Sequence, residues 1–222
     1  GRATMMPNRL ATPRAAGLAG VLFSLLFATS MVLIHSGVPE GAAGSQWLYG
    51  SATHLRWASI LMPFAGIAFL WFIAVVRDGL GRYEDRFFAT VFFGSGLLFL
   101  AMIFSSSAIG AGLAASGHLI DAAGAKNDVA AFGQMELLAL TKTYAVRMAA
   151  VFMMSLATIW LKTGLMQRWL VFTTYGSAIG LLLSSDLSMW IALVFPAWVL
   201  LVSVLALVRS GVIDLRHDDP PR

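Results

Sequence analysis

The sequence predicts an all-α, polytopic transmembrane bundle of six helices with the N- and C-termini cytoplasmic. Three observations lead there. Of 222 residues, 59% are hydrophobic and only 12% charged, so polar side chains are too few to cover a soluble surface of this size. The apolar residues gather into nearly uncharged runs close to the ~20 residues that cross ~30 Å of hydrocarbon as a helix. These runs are apolar on all faces, whereas a membrane β-barrel alternates polar and apolar residues in segments of about ten.

The six runs extend from Ala15 to His35, Trp57 to Val76, Phe87 to Gly112, Tyr144 to Leu161, Trp169 to Ser184 and Met189 to Val208. The fifth is short, and Ser184-Ser185-Asp186-Leu187-Ser188 reads as a tight turn into the sixth. Arg9 and Arg14 before the first run imitate a signal peptide. That run is too long for a signal sequence, and Ser36-Gly37-Val38-Pro39-Glu40 offers no small-x-small cleavage site, so it reads as a retained helix. The expected organisation is a cytoplasmic tail over 1–14, a single transmembrane domain over 15–208 and a second cytoplasmic tail over 209–222.

Charge placement sets the orientation. Arg2, Arg9, Arg14, Arg77, Arg82, Arg86, Lys162, Arg168, Arg209, Arg216 and Arg222 fall on the side of the termini, against Arg56, Lys126, Lys142 and Arg147 on the other. By the positive-inside rule the termini face the cytoplasm, which for a bacterial chain means a multi-pass protein of the plasma (inner) membrane. The isoelectric point near 9.9 is therefore mainly an insertion signal, and no nucleic-acid partner is expected.

In lipid, helices associate through close packing at small residues spaced by four. Such ridges comprise Gly20 and Ser24 in the first run, Gly110 and Gly112 in the third, and Gly176 and Gly180 in the fifth. They read as internal packing faces, with a homodimer seam as the alternative. Pro63 and Pro196 lie inside the second and sixth runs, where a missing backbone donor kinks a helix. Arg86, Phe87-Phe88 and Gly94-Ser95 share their spacing with Arg168, Trp169-Leu170 and Gly176-Ser177. A duplicated helix pair would produce this echo, and so would chance in a sequence built from few residue types.

Between the first two spans, residues 36–55 read as a loop with Trp47 and Tyr49 as interfacial aromatics. Between spans three and four, Gly124-Ala125-Lys126-Asn127-Asp128 reads as a turn with Asn127 or Asp128 capping a helix from Val129. Phe132, Met135 and Leu138 form its apolar side, against Gln134, Glu136 and Lys142. This segment either lies on the outer membrane surface as an amphipathic helix or continues into span four as a projecting outer hairpin. The hairpin is preferred, because no Gly or Pro separates Gln134 from Leu161.

Ionisable residues at membrane depth are the default functional candidates. Here they cluster at the outer ends of the spans: Arg56, Arg147, Glu136, Lys142 and Asp186. Arg147, a turn inside span four, must snorkel or pair with Glu136 or Asp186. The plain reading is a structural ion pair; the sharper one is an outward-facing cavity binding an anionic headgroup or carboxylate. There is no cysteine, which removes disulfides and thiolate chemistry. His35, His54 and His118 lack the spacing of a helical metal motif, and Ser105-Ser106-Ser107 has no base partner. No catalytic residue, metal or cofactor is expected.

Arg77-Asp78-Gly79-Leu80-Gly81-Arg82 resembles the Asp-Arg-x-Gly-Arg loop of major-facilitator transporters. The match covers six residues, lacks the arginine after the aspartate, and a short positive loop explains it without kinship. The Pro-Arg-Ala-Ala-Gly-Leu-Ala-Gly stretch from Pro13 to Gly20 and the general style of the chain resemble small polytopic membrane proteins of high-GC actinobacteria. That resemblance implies no function. The residues favour a non-catalytic membrane subunit docked on a larger envelope or respiratory complex, with lipids and other subunits, or further copies, as partners. The alternative is a small transporter or lipid-binding protein with its site near Arg56 and Arg147.

Overall fold

The computed structural model describes residues 13–41, 44–80 and 86–209; most of both predicted tails and the Gly81-Arg82 part of the short basic loop lie outside the described residues. All described secondary structure is helical. The elements are α1 (Pro13–Gly37), α2 (Trp47–Leu80), α3 (Arg86–Leu119), α4 (Ala123–Leu138), a π-helical segment (Ala139–Ala145), α5 (Val146–Thr163), α6 (Arg168–Ser184), a 3-10 turn (Met189–Leu193) and α7 (Val194–Arg209). The α4, π and α5 segments run on as one helical rod. Five helical stretches are long and apolar enough to cross a membrane: α1, α2, α3, the α4–α5 rod and the 3-10 turn with α7. With 17 residues, α6 measures about 26 Å at 1.5 Å per residue, at the low end of what crosses hydrocarbon.

The helices alternate in direction, so α1 begins and α7 ends at the same end of the bundle. There Arg209 donates to the Leu165 carbonyl at 2.7 Å, Lys162 lies over the Phe88 ring at 4.6 Å and Arg77 over the Phe93 ring at 4.8 Å. Neighbours pack in the order α1–α2–α3–α5–α6, and α7 returns to α1. Small residues set the closest approach of α1 and α7. A Cβ on Gly20 would collide with Ser203, and one on Gly17 would lie 2.6 Å from Leu207. At α3, a Cβ on Gly96 would sit 2.8 Å from Ile73 and 3.1 Å from Phe152.

Aromatic rings from five elements fill the centre. Phe69 lies 4.7 Å from Phe23, 5.5 Å from Phe99, 5.4 Å from Phe152 and 6.0 Å from Phe195 by ring centroid. Phe99 meets Phe195 edge to face at 4.7 Å, and Phe152 stacks on Phe92 at 4.5 Å. These separations are those of attractive aromatic pairs, and every ring named is buried. The hydroxyls within the helices are mostly turned back on their own backbone: Ser24 donates to Gly20 O, Ser155 to Val151 O, Thr158 to Met154 O and Ser203 to Val199 O. Such bonds satisfy the polar group locally; between helices, Trp198 donates to the Thr174 hydroxyl at 2.8 Å and the Thr158 and Tyr175 hydroxyls share a bond at 2.6 Å.

Several sequence expectations are corrected. α2 begins at Trp47, ten residues before the expected span, because Leu48, Ser51 and Leu55 form a buried stripe that packs with Ile34, Val38 and Leu113. α4 begins at Ala123 after an extended Ala122, so the predicted turn at Gly124–Asp128 is helical and neither Asn127 nor Asp128 caps it. Alanines at 122, 123 and 125 favour helix enough to carry a single glycine. The sequence left open which side of α4 meets the bundle. Ala130, Gly133, Gln134 and Leu137 are buried, while Phe132 and Met135 are 64% and 62% exposed. The cause is Gly133, where any Cβ would collide with Leu113: the small face fits against α3 and the bulky one is left out. Finally, Pro196 falls in the first turn of α7, just after the 3-10 turn, where its missing N–H breaks no internal bond.

Candidate functional site

The polar residues converge at the end opposite the termini. The π-helical segment is the local cause. Its wider turn closes from the Val146 N–H to the Thr141 carbonyl, five residues back. It thereby sets Thr141 against α3 and Lys142 towards the connection after α1. π turns concentrate at functional sites because they re-aim side chains in this way. Thr141 is buried and shares a 2.9 Å hydroxyl–hydroxyl bond with Ser106.

Lys142, only 17% exposed, lies 3.7 Å from Glu40. The other carboxylate oxygen of Glu40 accepts from the Met189 N–H at 2.9 Å, at the start of the 3-10 turn. A carboxylate is favoured there by the free N–H groups of a helix start. Gln134 completes the clamp, its side-chain amide donating to the carbonyls of Pro39 (2.6 Å) and Gly41 (2.7 Å). One connection is thus pinned to α4, to the π segment and to the start of the last span. Nearby, His35 packs on Trp190 at 5.0 Å between ring centroids. Its ring nitrogens are shielded from solvent and make no hydrogen bond of good geometry among the described residues.

Arg147 pairs with Asp186 at 3.2 Å and donates to the Thr143 carbonyl at 3.1 Å. Asp186 was one of its two sequence candidates; the other, Glu136, lies elsewhere. The pair is open to solvent, a setting in which such contacts contribute about 1 kcal/mol or less. Arg56 is exposed on α2 and makes no ion pair among the described residues. The five charged candidates therefore form no single pocket: Arg147 and Asp186 pair with each other, Lys142 pairs with Glu40, Arg56 stands apart, and Glu136 faces a groove. Among the helix-packing candidates, Gly20 and Ser24 are buried between α1 and its neighbours, and Gly110 lies within van der Waals reach of Leu55. Gly112, Gly176 and Gly180 are exposed, with nothing within 4 Å of a Cβ built there, so they are not internal packing positions.

The groove runs between α3 and α4 and has a volume of about 560 Å³. Ile109, Gly112 and Leu113 form one side and Val129, Phe132 and Gly133 the other, with Asp128 and Glu136 along its edge. Sequence reasoning missed Glu40, Gln134 and Thr141. The readable signal was Gln134, which occupies the same helical stripe as Ala130, Gly133 and Leu137. Among the described residues no three His, Asp or Glu side chains are placed to hold a metal ion.

Replacing Gln134 by leucine keeps its bulk and removes both bonds to the connection. Native-state hydrogen exchange over 36–41 should then accelerate about tenfold or more, the scale of 1–3 kcal/mol for two lost partners. The global unfolding midpoint should move little; unchanged exchange would show that the clamp is not made by Gln134. No protein family, curated protein or solved structure matches the chain.

Proposed function

We propose that this chain is a non-catalytic integral membrane subunit that crosses the plasma membrane six times with both ends in the cytoplasm, and that its outer end docks on a larger membrane assembly. The observation that carries this reading is the exposed apolar face of α4. Ile109 lies 23 residues beyond Arg86, about 35 Å along the helix, which exceeds the ~30 Å of hydrocarbon. The α4–α5 rod, 41 residues long, overruns the membrane by a similar argument. Phe132 and Met135 then face water on a projecting hairpin, where an apolar patch is the mark of a protein contact.

Two further features support the reading. Buried rings fill the centre of the bundle between the helices. On α6, Gly176 and Gly180 present an open small-residue ridge to lipid, the surface that a partner's helix or a second copy would approach. A transporter or lipid-binding site at Arg56 and Arg147 is supported less well, since the Arg147 guanidinium is already engaged by Asp186.

Gentle solubilisation followed by size exclusion and native mass spectrometry tests the reading. The chain should run as a stoichiometric complex with other membrane proteins, and joint replacement of Phe132 and Met135 by serine should release it as a folded, smaller species. An isolated monomer or homodimer that retains lipid would overturn the proposal.

A further inference from the structure

The groove that α4 forms with α3 has the shape and charge to identify its occupant by chemistry. We infer that it seats a basic amphipathic helix of a partner protein. The inference rests on the docking reading above and specifies the partner's surface.

The floor is open at Gly112, where a Cβ would meet nothing within 4 Å, and closed below by the approach of Gly133 to Leu113. Phe132 and Val129 give it an apolar wall. A slot of about 560 Å³ accepts the apolar stripe of a helix, the i, i+3, i+4, i+7 mode of groove recognition.

Charge selects the kind of helix. Asp128 and Glu136 lie eight residues apart on α4, about 12 Å along its axis, and neither makes an ion pair among the described residues. The nearby lysines are committed elsewhere. Lys126 donates to the Tyr49 hydroxyl at 3.1 Å and lies over its ring, and Lys142 pairs with Glu40. The groove thus offers two uncompensated carboxylates along an apolar slot, which complements lysines and arginines flanking an apolar stripe.

Two other occupants fit less well. A lipid acyl chain belongs to the hydrocarbon, and in the topology proposed above the groove begins beyond it. The arginine-bearing segments 1–12 and 210–222 of this chain join the bundle at the opposite end, across the bilayer.

The probe is an 18-residue fluorescein-labelled peptide of leucine at i, i+3, i+4, i+7 spacing with lysine elsewhere; a control peptide has glutamate for lysine. Both are titrated by anisotropy against the full chain in phosphatidylcholine nanodiscs and against empty discs. The lysine peptide should bind chain-containing discs about tenfold or more tighter than empty ones, and tighter than the glutamate peptide does. Gly112→Leu fills open space and should weaken binding about tenfold without lowering the thermal midpoint, as should Asp128→Lys with Glu136→Lys. Equal binding to empty discs, indifference to Gly112→Leu, or preference for the glutamate peptide would overturn the inference. A stoichiometric native complex without peptide binding would leave the docking reading standing and remove only the basic helix. Loss of both would remove both.

Discussion

Phe152→Ala should destabilise the bundle by about 2–3 kcal/mol, measured as equilibrium unfolding in mixed dodecyl maltoside and dodecyl sulfate micelles. Phe152 of α5 is fully buried and touches four rings from three other helices: Phe69 of α2, Phe92 of α3, and Phe195 and Trp198 of α7. In a soluble core the change costs about 3–5 kcal/mol, combining transfer from water with the void left behind. In lipid the transfer part shrinks, because a separated helix exposes its rings to acyl chains as apolar as the core. What remains is lost dispersion contact. A void on the order of 100 Å³ at about 24 cal/mol per Å³ gives about 2.4 kcal/mol. Phe172, 63% exposed on α6, is the control and should change stability by less than about 0.5 kcal/mol when replaced by alanine. Equal effects at the two positions would show that the aromatic cluster does not hold the bundle.

Gly20→Ala should cost about 1–3 kcal/mol by the same measurement, although alanine is the better helix former. The added methyl would collide with the Ser203 side chain and lie 3.0 Å from a Phe72 ring carbon. Serine cannot swing clear, because its own Cβ, only 2.9 Å away, moves with the α7 backbone. α1 and α7 must therefore separate, and their contact closes the ring of helices. Ser203→Gly removes the obstacle. In combination the two changes should recover more than half of the loss, a coupling expected only for residues in contact. Strict additivity would place the cost of Gly20→Ala elsewhere.

Much of the architecture was legible because long apolar runs leave a chain few alternatives. Five of the stretches are long and apolar enough to span, and the remaining one, the fifth run already marked as short, became α6. Boundaries at the end opposite the termini were less visible. There the helices leave the apolar runs and continue on mixed sequence, as with Leu48, Ser51 and Leu55 of α2. The apolar period of Phe132, Met135 and Leu138 did not say which side of α4 meets the bundle; the close fit of Gly133 on Leu113 decides it. For Arg147, charge arithmetic narrowed the partner to two acids. The Glu40–Lys142 contact was not legible, since it depends on a connection folding back across the bundle end. Small-residue spacing likewise marks a ridge without giving its direction, inward at Gly20 and outward at Gly176 and Gly180.

The π turn at Ala139–Ala145 carries one further consequence, concerning phase along the rod. Each residue of an α-helix advances the rotation by about 100°, so a turn that accommodates one extra residue sets the two flanking segments that far apart. Shortening this stretch by one residue would let the rod run as continuous α-helix and swivel α4 by about that angle against α5. The Gln134 face would leave the connection it holds, with the contacts of α5 unchanged. Residues 139–145 thus act as an angular coupling between α4 and α5, allowing the face that α4 presents to be re-indexed by a single-codon deletion and leaving the packing of α5 in register.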